Sequence, residues 1–165
     1  MSTSNFKLLN SSAKGLTLLE LILVIVVLGT IVILASPSWR GSRIKSELDS
    51  DTRTLVDTLK RAQNNATTGE GFTNWGVRFD NTGPTPFFQL FSGPNWTSGN
   101  KYEYFPLTFG VMFASPASGA AEEITFDLRT GKRTAGTSSI VIRNVDNTSL
   151  TRTIYVSSEG AVSTN

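Results

Sequence analysis

The residue with the clearest chemical consequence in this sequence is Glu20, a lone carboxylate in the almost wholly apolar run Leu16–Ala35. As a helix, this run would rise roughly 30 Å, about the thickness of the hydrocarbon core of a bilayer. A charged side chain inside such a span costs roughly 2.5–3.5 kcal/mol on insertion scales, and less near an end. Because the run contains no counter-charge, we expect the partner of Glu20 to belong to another molecule.

Two plainer interpretations of the same run stay open. Glu20 could mark the edge of a signal-peptide core, or its carboxylate could reach the membrane interface. Ala35-Ser36 could also be an ordinary signal-peptidase site, although cleavage there would discard the whole helix. A signal-peptide core of 7 to 15 residues is shorter than this run and would not contain a carboxylate. We therefore favour a helix that is retained.

Residues for catalysis or metal binding are few in this chain. It has no histidine and no cysteine, so neither a Ser/His/Asp nor a Cys/His site can form. The adjacent carboxylates Glu122 and Glu123 would point to opposite faces of a strand, and we expect them at a solvated strand edge. Asp80, Asp127 and Asp146 lie beside turns, where Asp commonly bonds backbone groups. We expect no enzyme activity, no cofactor and no metal site.

The residues around Glu20 carry a resemblance to a known family. The hexapeptide 15–20 (GLTLLE), with Lys14 before it and an apolar helix after it, resembles the N-terminus of type IV pilins and type II secretion pseudopilins. The resemblance implies that a membrane-embedded prepilin peptidase cuts between Gly15 and Leu16. It also implies that the same enzyme methylates the new amine of Leu16.

The resemblance further implies that Glu20 is the assembly residue. Cleavage after Gly15 leaves a positive amine at Leu16, which can neutralise the carboxylate of Glu20 in its own or an adjoining copy. A buried ion pair roughly breaks even, whereas an unpaired buried charge is strongly destabilising. The pair would therefore set the axial position of a subunit. Gly29 and Pro37 fall where the family places helix-softening residues, and we expect a kink there.

Hydrophobic periodicity predicts that the helix continues well past Pro37. Apolar residues recur at helical steps and should rest on a sheet: Ile44, Leu48, Leu55, Leu59 and Ala62. The other face should meet solvent or a neighbouring subunit: Arg43, Lys45, Glu47, Asp49, Asp51 and Arg53. Four segments follow: a leader at 1–15, a transmembrane and assembly helix at 16–36, its amphipathic half at 37–66, and a β-rich domain at 67–165.

From Gly71 onward the pattern is typical of antiparallel strands, with turn signals every 8 to 12 residues. The predicted strands are 75–79, 86–91, 102–107, 109–113, 124–128, 139–144 and 151–157. Three aromatic residues, Trp75, Trp96 and Tyr102, are expected to anchor the core or a loop rather than to form a ligand surface. The predicted fold class is α+β: a long N-terminal helix, transmembrane and then amphipathic, packed on an antiparallel β-domain.

The C-terminal half is similar to the GspH/FimT type of minor pseudopilin and minor pilin. The similar segments are 124–127 (ITFD), 140–142 (IVI) and 154–157 (IYVS), followed by Gly160 and Val162. This similarity implies two small sheets and a subunit present in few copies that primes or tips a filament.

Two functions remain open. One is a structural subunit of a type II secretion pseudopilus, acting in protein secretion across the outer membrane. The other is a FimT-like minor pilin of a type IV pilus, acting in pilus priming or DNA uptake.

Charge argues against strong nucleic-acid binding. Of 15 basic residues, Lys7 and Lys14 lie in the leader, so 13 remain against 13 acidic ones. The weak DNA-binding candidate is the patch of Arg129, Lys132 and Arg133.

The expected location is a single pass through a bacterial inner membrane with the domain in the periplasm, and then the assembled filament. The expected partners are other pilins or pseudopilins, the prepilin peptidase and the membrane.

Overall fold

The computed structural model describes residues 17–165, without the side chains of residues 32–42. The chain divides into two compact units, Met1–Arg40 and Gly41–Asn165. Its one long helix, α1, spans Leu18–Thr68 and is 51 residues long. The predicted cleavage residues Gly15 and Leu16 lie outside the described residues. Helix α1 continues through Gly29 and Pro37, and the kink expected at those residues stays a prediction.

The second half of α1 supplies one wall of the core, as the periodicity predicts. Leu48, Leu55, Leu59 and Ala62 are fully buried, and Ile44 is half-buried. After Thr68 the helix ends because Gly69 takes a left-handed conformation with φ 74°, which glycine adopts without steric cost. A short 3-10 turn, Glu70–Phe72, then leads into the first strand.

Nine strands follow in the second unit. They are β1 Trp75–Asp80, β2 Phe87–Ser92, β3 Asn100–Pro106, β4 Val111–Ser115, β5 Ala121–Phe126, β6 Arg133–Gly136, β7 Ser139–Asn144, β8 Thr151–Val156 and β9 Val162–Thr164. Within the described residues, they form a five-stranded sheet of order β3-β2-β1-β5-β6 and a four-stranded sheet of order β4-β7-β8-β9. All described pairings are antiparallel. The predicted two antiparallel sheets are confirmed.

The core of this unit lies where the apolar stripe of α1 meets side chains from both sheets. Strand β1 contributes Trp75, Val77 and Phe79, which alternate along it as predicted, while Phe113 and Ile142 come from the other sheet. Phe79 and Phe113 meet edge to face, with ring centroids 6.0 Å apart, a favourable aromatic geometry. Helix and sheets therefore bury a single continuous set of side chains.

Strand predictions were wrong at three places. Strands β6 and β9 were not predicted, because they are short outer strands with little apolar alternation. The strand predicted at 109–113 begins only at Val111. Its N–H donates to the Thr108 carbonyl (2.9 Å), and Gly110 takes a φ of 90°, so these residues form a turn.

The interpretation of Glu122 and Glu123 as a solvated strand edge was wrong about solvation. Both residues pair with β1, precede the residues of β5 that pair with β6, and are half-buried. An Oε2 of Glu123 accepts a hydrogen bond from the backbone N–H of Trp96 (3.0 Å). Glu123 thereby holds the loop 93–99 against the sheet, a role that only the strand pairing assigns to it.

The loop 93–99 covers the outer face of the five-stranded sheet. Trp96 lies between two cations, with the guanidinium carbon of Arg78 and the Nζ of Lys101 each 4.2 Å from its ring centroid. Beneath the loop, the ring of Phe91 packs on Gly76 at the middle of the sheet. An added Cβ at Gly76 would come within 2.6 Å of both the Phe91 ring and the Ile124 carbonyl oxygen. The position therefore admits only glycine.

A buried ionic group, Asp80, ends strand β1. Asp80 is 6% exposed, and one of its carboxylate oxygens lies 3.0 Å from an Nη of Arg78. The other oxygen accepts the backbone N–H of Thr82 (3.0 Å) and also its hydroxyl. Burial alone would raise the pKa of Asp80, but the Thr82 hydrogen bonds and the Arg78 charge hold that pKa below its ordinary value of 3.8.

This lowered pKa predicts an acid-sensitive contribution to stability. The pKa of Asp80 is lower in the folded state than its unfolded value of about 3.9. Ionised Asp80 therefore stabilises the fold fully at pH values above the unfolded pKa. The contribution is lost as pH falls through the folded value. We expect Asp80→Asn to lower the free energy of unfolding by roughly 1–2 kcal/mol at pH 7, because charge-assisted hydrogen bonds are lost. Urea unfolding from pH 7 to pH 3 should show the two proteins converging below about pH 4. A gap that stays constant with pH would contradict this assignment.

Candidate assembly site

The N-terminal end of α1 is capped by Thr17. Its hydroxyl oxygen accepts the backbone N–H of Glu20 (3.2 Å), and its carbonyl accepts the N–H of Leu21 (3.1 Å). Thr17 is therefore the N-cap and Glu20 the third helical residue, the spacing of a capping box. This geometry places the Glu20 carboxylate in the first turn, where the helix dipole favours negative charge.

The first turns of α1 are apolar on every side. Every residue from Thr17 to Ile31 is exposed in the isolated chain. The large apolar side chains among them are 45% to 78% exposed, with Leu18 the most and Val24 the least. A helix that is hydrophobic all round is stable only where lipid or other helices cover it. This segment is therefore a surface that needs a covering, and Glu20 is its one ionisable residue.

The predicted membrane span, residues 16–36, extends beyond this segment at both ends. Leu16 and the side chains of residues 32–36 lie outside the described residues. Across the parts of the chain that the structure does describe, no helix has the combined length and hydropathy of a membrane span.

Part of the charged face of α1 contacts the chain's own β-domain rather than solvent or a neighbour. The Asp49 carboxylate lies 2.8 Å from an Nη of Arg152 on β8. Asp51 accepts both the backbone N–H (2.9 Å) and the hydroxyl (2.8 Å) of Thr108. These contacts tie α1 to the four-stranded sheet and to the turn before β4. Their partners lie more than fifty residues away in sequence, so periodicity could not identify them.

Comparison with solved structures identifies the architecture. The structure of the minor pseudopilin EpsH from the type 2 secretion system of Vibrio cholerae superimposes with a TM-score of 0.51 and 14% sequence identity. The match covers 72% of this chain and 96% of that chain. The fold is pilin-like. No protein-family model and no curated protein sequence match the chain.

The pilin-like domain does not present the predicted basic patch as a free cluster. Lys132 pairs with Glu159, with 2.8 Å between Nζ and Oε2. Arg133 is half-buried and donates from Nη1 to the Gly136 carbonyl (2.8 Å). Arg129 is exposed. Lys132 is thus offset by an opposite charge, whereas Arg133 keeps its charge and directs one N–H to a carbonyl of its own chain.

Of the three aromatic residues singled out in the sequence, Trp75 and Trp96 anchor structure, whereas Tyr102 is 47% exposed. Trp75 is 3% exposed, and its ring packs against Tyr102 in a tilted arrangement with centroids 4.9 Å apart. Its indole N–H donates to the Glu70 carbonyl (2.8 Å). Trp96 holds the loop 93–99 as described above. Among the described residues there is also no cluster of three acidic side chains that could hold a metal ion.

Two exposed aromatic residues of this domain were not predicted. Phe72 is 83% exposed and has a positive φ of 51°, and Phe109 is 99% exposed. Phe72 follows Gly71, and Phe109 precedes Gly110. This neighbouring glycine is the sequence signal that marks each of them as a turn residue. Their exposure depends on how the turns are held by the two sheets.

Proposed function

We propose that the chain is a minor pseudopilin of the GspH type, a structural subunit of a type II secretion pseudopilus. In this role it would assemble with other pilin-like subunits and act in protein secretion across the outer membrane. The observation that carries the proposal is the combination of two features. One is the pilin-like fold shared with the minor pseudopilin EpsH. The other is the exposed apolar helix start that carries Glu20.

The chemistry of the apolar segment supports assembly rather than catalysis. Its side chains need a nonpolar covering, and neighbouring helices of other subunits would provide it. Glu20 would then need a counter-charge in a dry environment. The amine that cleavage creates at Leu16 of its own or an adjoining copy would provide that charge. The role therefore depends on processing between Gly15 and Leu16.

The proposal also specifies where the protein is located in the cell envelope. Residues 16–36 would lie in the bacterial inner membrane, and the β-domain would be periplasmic before the subunit enters the filament. The alternative of a DNA-binding minor pilin receives less support, because Lys132 and Arg133 are engaged within the chain.

Processing is tested by N-terminal analysis of the protein purified from membranes. We expect the mature chain to begin at a methylated Leu16, because the resemblance places the cut after Gly15. Matched controls are Gly15→Val, which should leave the leader attached, and Gly83→Val, a glycine with nothing within 4 Å of an added Cβ. A mature N-terminus at any other residue would overturn the proposal.

A further inference from the structure

Two residues of the pilin-like domain, Phe72 and Arg129, have a left-handed backbone although neither is glycine. Their φ angles are 51° and 69°, and every other residue with a positive φ in the described part of the chain is a glycine. This conformation is unfavourable for a residue that has a Cβ, and most of all for a bulky one. A turn that needed only this backbone geometry would have glycine there at little cost. The cost therefore needs an explanation in what the two side chains do.

The two residues lie on neighbouring turns at one end of the domain. The carbonyl of Ala66, in the last turn of α1, accepts the N–H of Arg129 (2.8 Å) and also that of Gly69 (3.1 Å). A Cβ added at Gly69 would lie 3.8 Å from the Cδ1 of Leu128. The turns that contain Phe72 and Arg129 thus pack side by side where α1 ends. Two separate departures from ordinary backbone geometry therefore meet on a single surface.

The turn of Phe72 is held by its backbone and not by the phenylalanine ring. The Phe72 N–H donates to the Gly69 carbonyl (3.0 Å), and the indole N–H of the buried Trp75 donates to the Glu70 carbonyl (2.8 Å). Phe72 itself is 83% exposed. Arg129 is also exposed and takes part in no ion pair among the described residues. Strain that burial does not offset is typical of residues that act on another molecule, and a fixed turn reduces the ordering cost of binding.

The chemistry of this surface favours a protein partner. Aromatic residues and arginine are enriched in protein interfaces and among their hot spots. Glu70 is exposed beside Phe72, and Lys132, next to the turn of Arg129, pairs with Glu159. The surface therefore has no excess of positive charge, which nucleic acids and anionic lipids would need. It suits a protein that offers an apolar pocket to the ring and a hydrogen-bond acceptor to the guanidinium.

We propose that Phe72 and Arg129 together bind a different pilin-like subunit, with the ring in an apolar pocket and the guanidinium beside an acceptor at the rim of that pocket. This inference rests on the proposed function, in which the chain assembles with other pilin-like subunits. Because the partner is a different subunit, the contact is made once per copy and does not extend into a filament of this chain alone. The contact does not involve Glu20, so its failure leaves the proposed function intact.

Photo-cross-linking at position 72 tests the contact. The full chain, with p-benzoylphenylalanine in place of Phe72, is produced in cells that also make the other pilin-like subunits of its system. Illumination should join it to a chain that peptide mass spectrometry identifies as a different pilin-like subunit. The same photo-reactive residue in place of Tyr155, a half-exposed aromatic residue of β8, should not form this adduct. Absence of the adduct, or an adduct with a second copy or with a protein of another kind, would overturn the proposal.

Variants that keep the left-handed backbone test the two side chains. Asparagine tolerates a positive φ, so Phe72→Asn and Arg129→Asn each remove one side chain without changing the turn. Each should reduce co-purification of the cross-linked subunit about tenfold, the loss of a modest interface hot spot, whereas Phe72→Tyr, which keeps the ring, should retain most of it. The urea midpoint of unfolding should not fall in either Asn variant, because both side chains are exposed. A lower midpoint would assign these residues to folding and contradict the proposal, as would unchanged co-purification.

The N-terminus of the mature chain is determined on the same samples. A chain that begins at Leu16 and forms no adduct disproves this contact but leaves the proposed function standing. A chain that begins elsewhere disproves the proposed function, and this inference with it.

Discussion

Glu20→Ala is expected to yield a chain that is inserted and cleaved but does not enter the filament. Removing one member of a buried ion pair typically costs about 3–5 kcal/mol, because the other charge is left unpaired. Here that charge would be the amine at Leu16. Since about 1.4 kcal/mol is a factor of ten, incorporation should fall by roughly two to three orders of magnitude. Co-purification with partner pilins, normalised to the cleaved protein in the membrane, measures this loss.

Glu20→Gln separates charge pairing from helix capping. Glutamine is accepted at the third helical position of a capping box, so it preserves the arrangement with Thr17. It carries no charge, however, and cannot neutralise the amine. We expect Glu20→Gln to fail as completely as Glu20→Ala. If the Gln variant assembles normally while the Ala variant does not, capping rather than ion pairing is the role of this residue.

Gly76→Val is expected to lower the free energy of unfolding by about 3 kcal/mol, the upper end of the usual cost of overpacking a core. The valine side chain would collide with the Phe91 ring and with the backbone oxygen of Ile124, both 2.6 Å from an added Cβ. The backbone oxygen belongs to the paired strand β5 and cannot move without breaking the ladder. Urea unfolding followed by circular dichroism measures the change.

Two controls accompany this variant. Gly83→Val is at the turn after β1, where an added Cβ would meet nothing within 4 Å, and it should change the stability by less than about 0.5 kcal/mol. Phe91→Ala removes a fully buried ring and is itself destabilising, so it is the reference for the double variant. In the Phe91→Ala background, Gly76→Val should cost less than in the parent chain but more than zero, because the Ile124 oxygen stays in place. No cost in that background would show that the ring alone excludes larger side chains, contrary to the geometry.

The elements that were predicted correctly have strong local signals. Leu48, Leu55 and Leu59 repeat at helical spacing, and Trp75, Val77 and Phe79 alternate in β1. These two periods follow from the geometry of one helix and one strand. The short strands β6 and β9 have no such period, because most of their residues are exposed and no apolar face has to alternate. The half-burial of Glu122 and Glu123 was not predicted, since their pairing with β1 and the contact of Glu123 with Trp96 join residues far apart in sequence.

The sequence alone determined the helix, the β-rich domain, the lone carboxylate and the scarcity of catalytic residues. Each of these follows from composition or from the spacing of nearby residues. Only the tertiary structure decided that Asp51 contacts Thr108, that Gly76 lies under Phe91, and that Asp49 pairs with Arg152. The residues in these contacts are from 15 to 103 positions apart in sequence. These contacts form only when the two sheets and the helix bury a common core. Burial of that core fixes the strand register, and the register determines which distant residues meet.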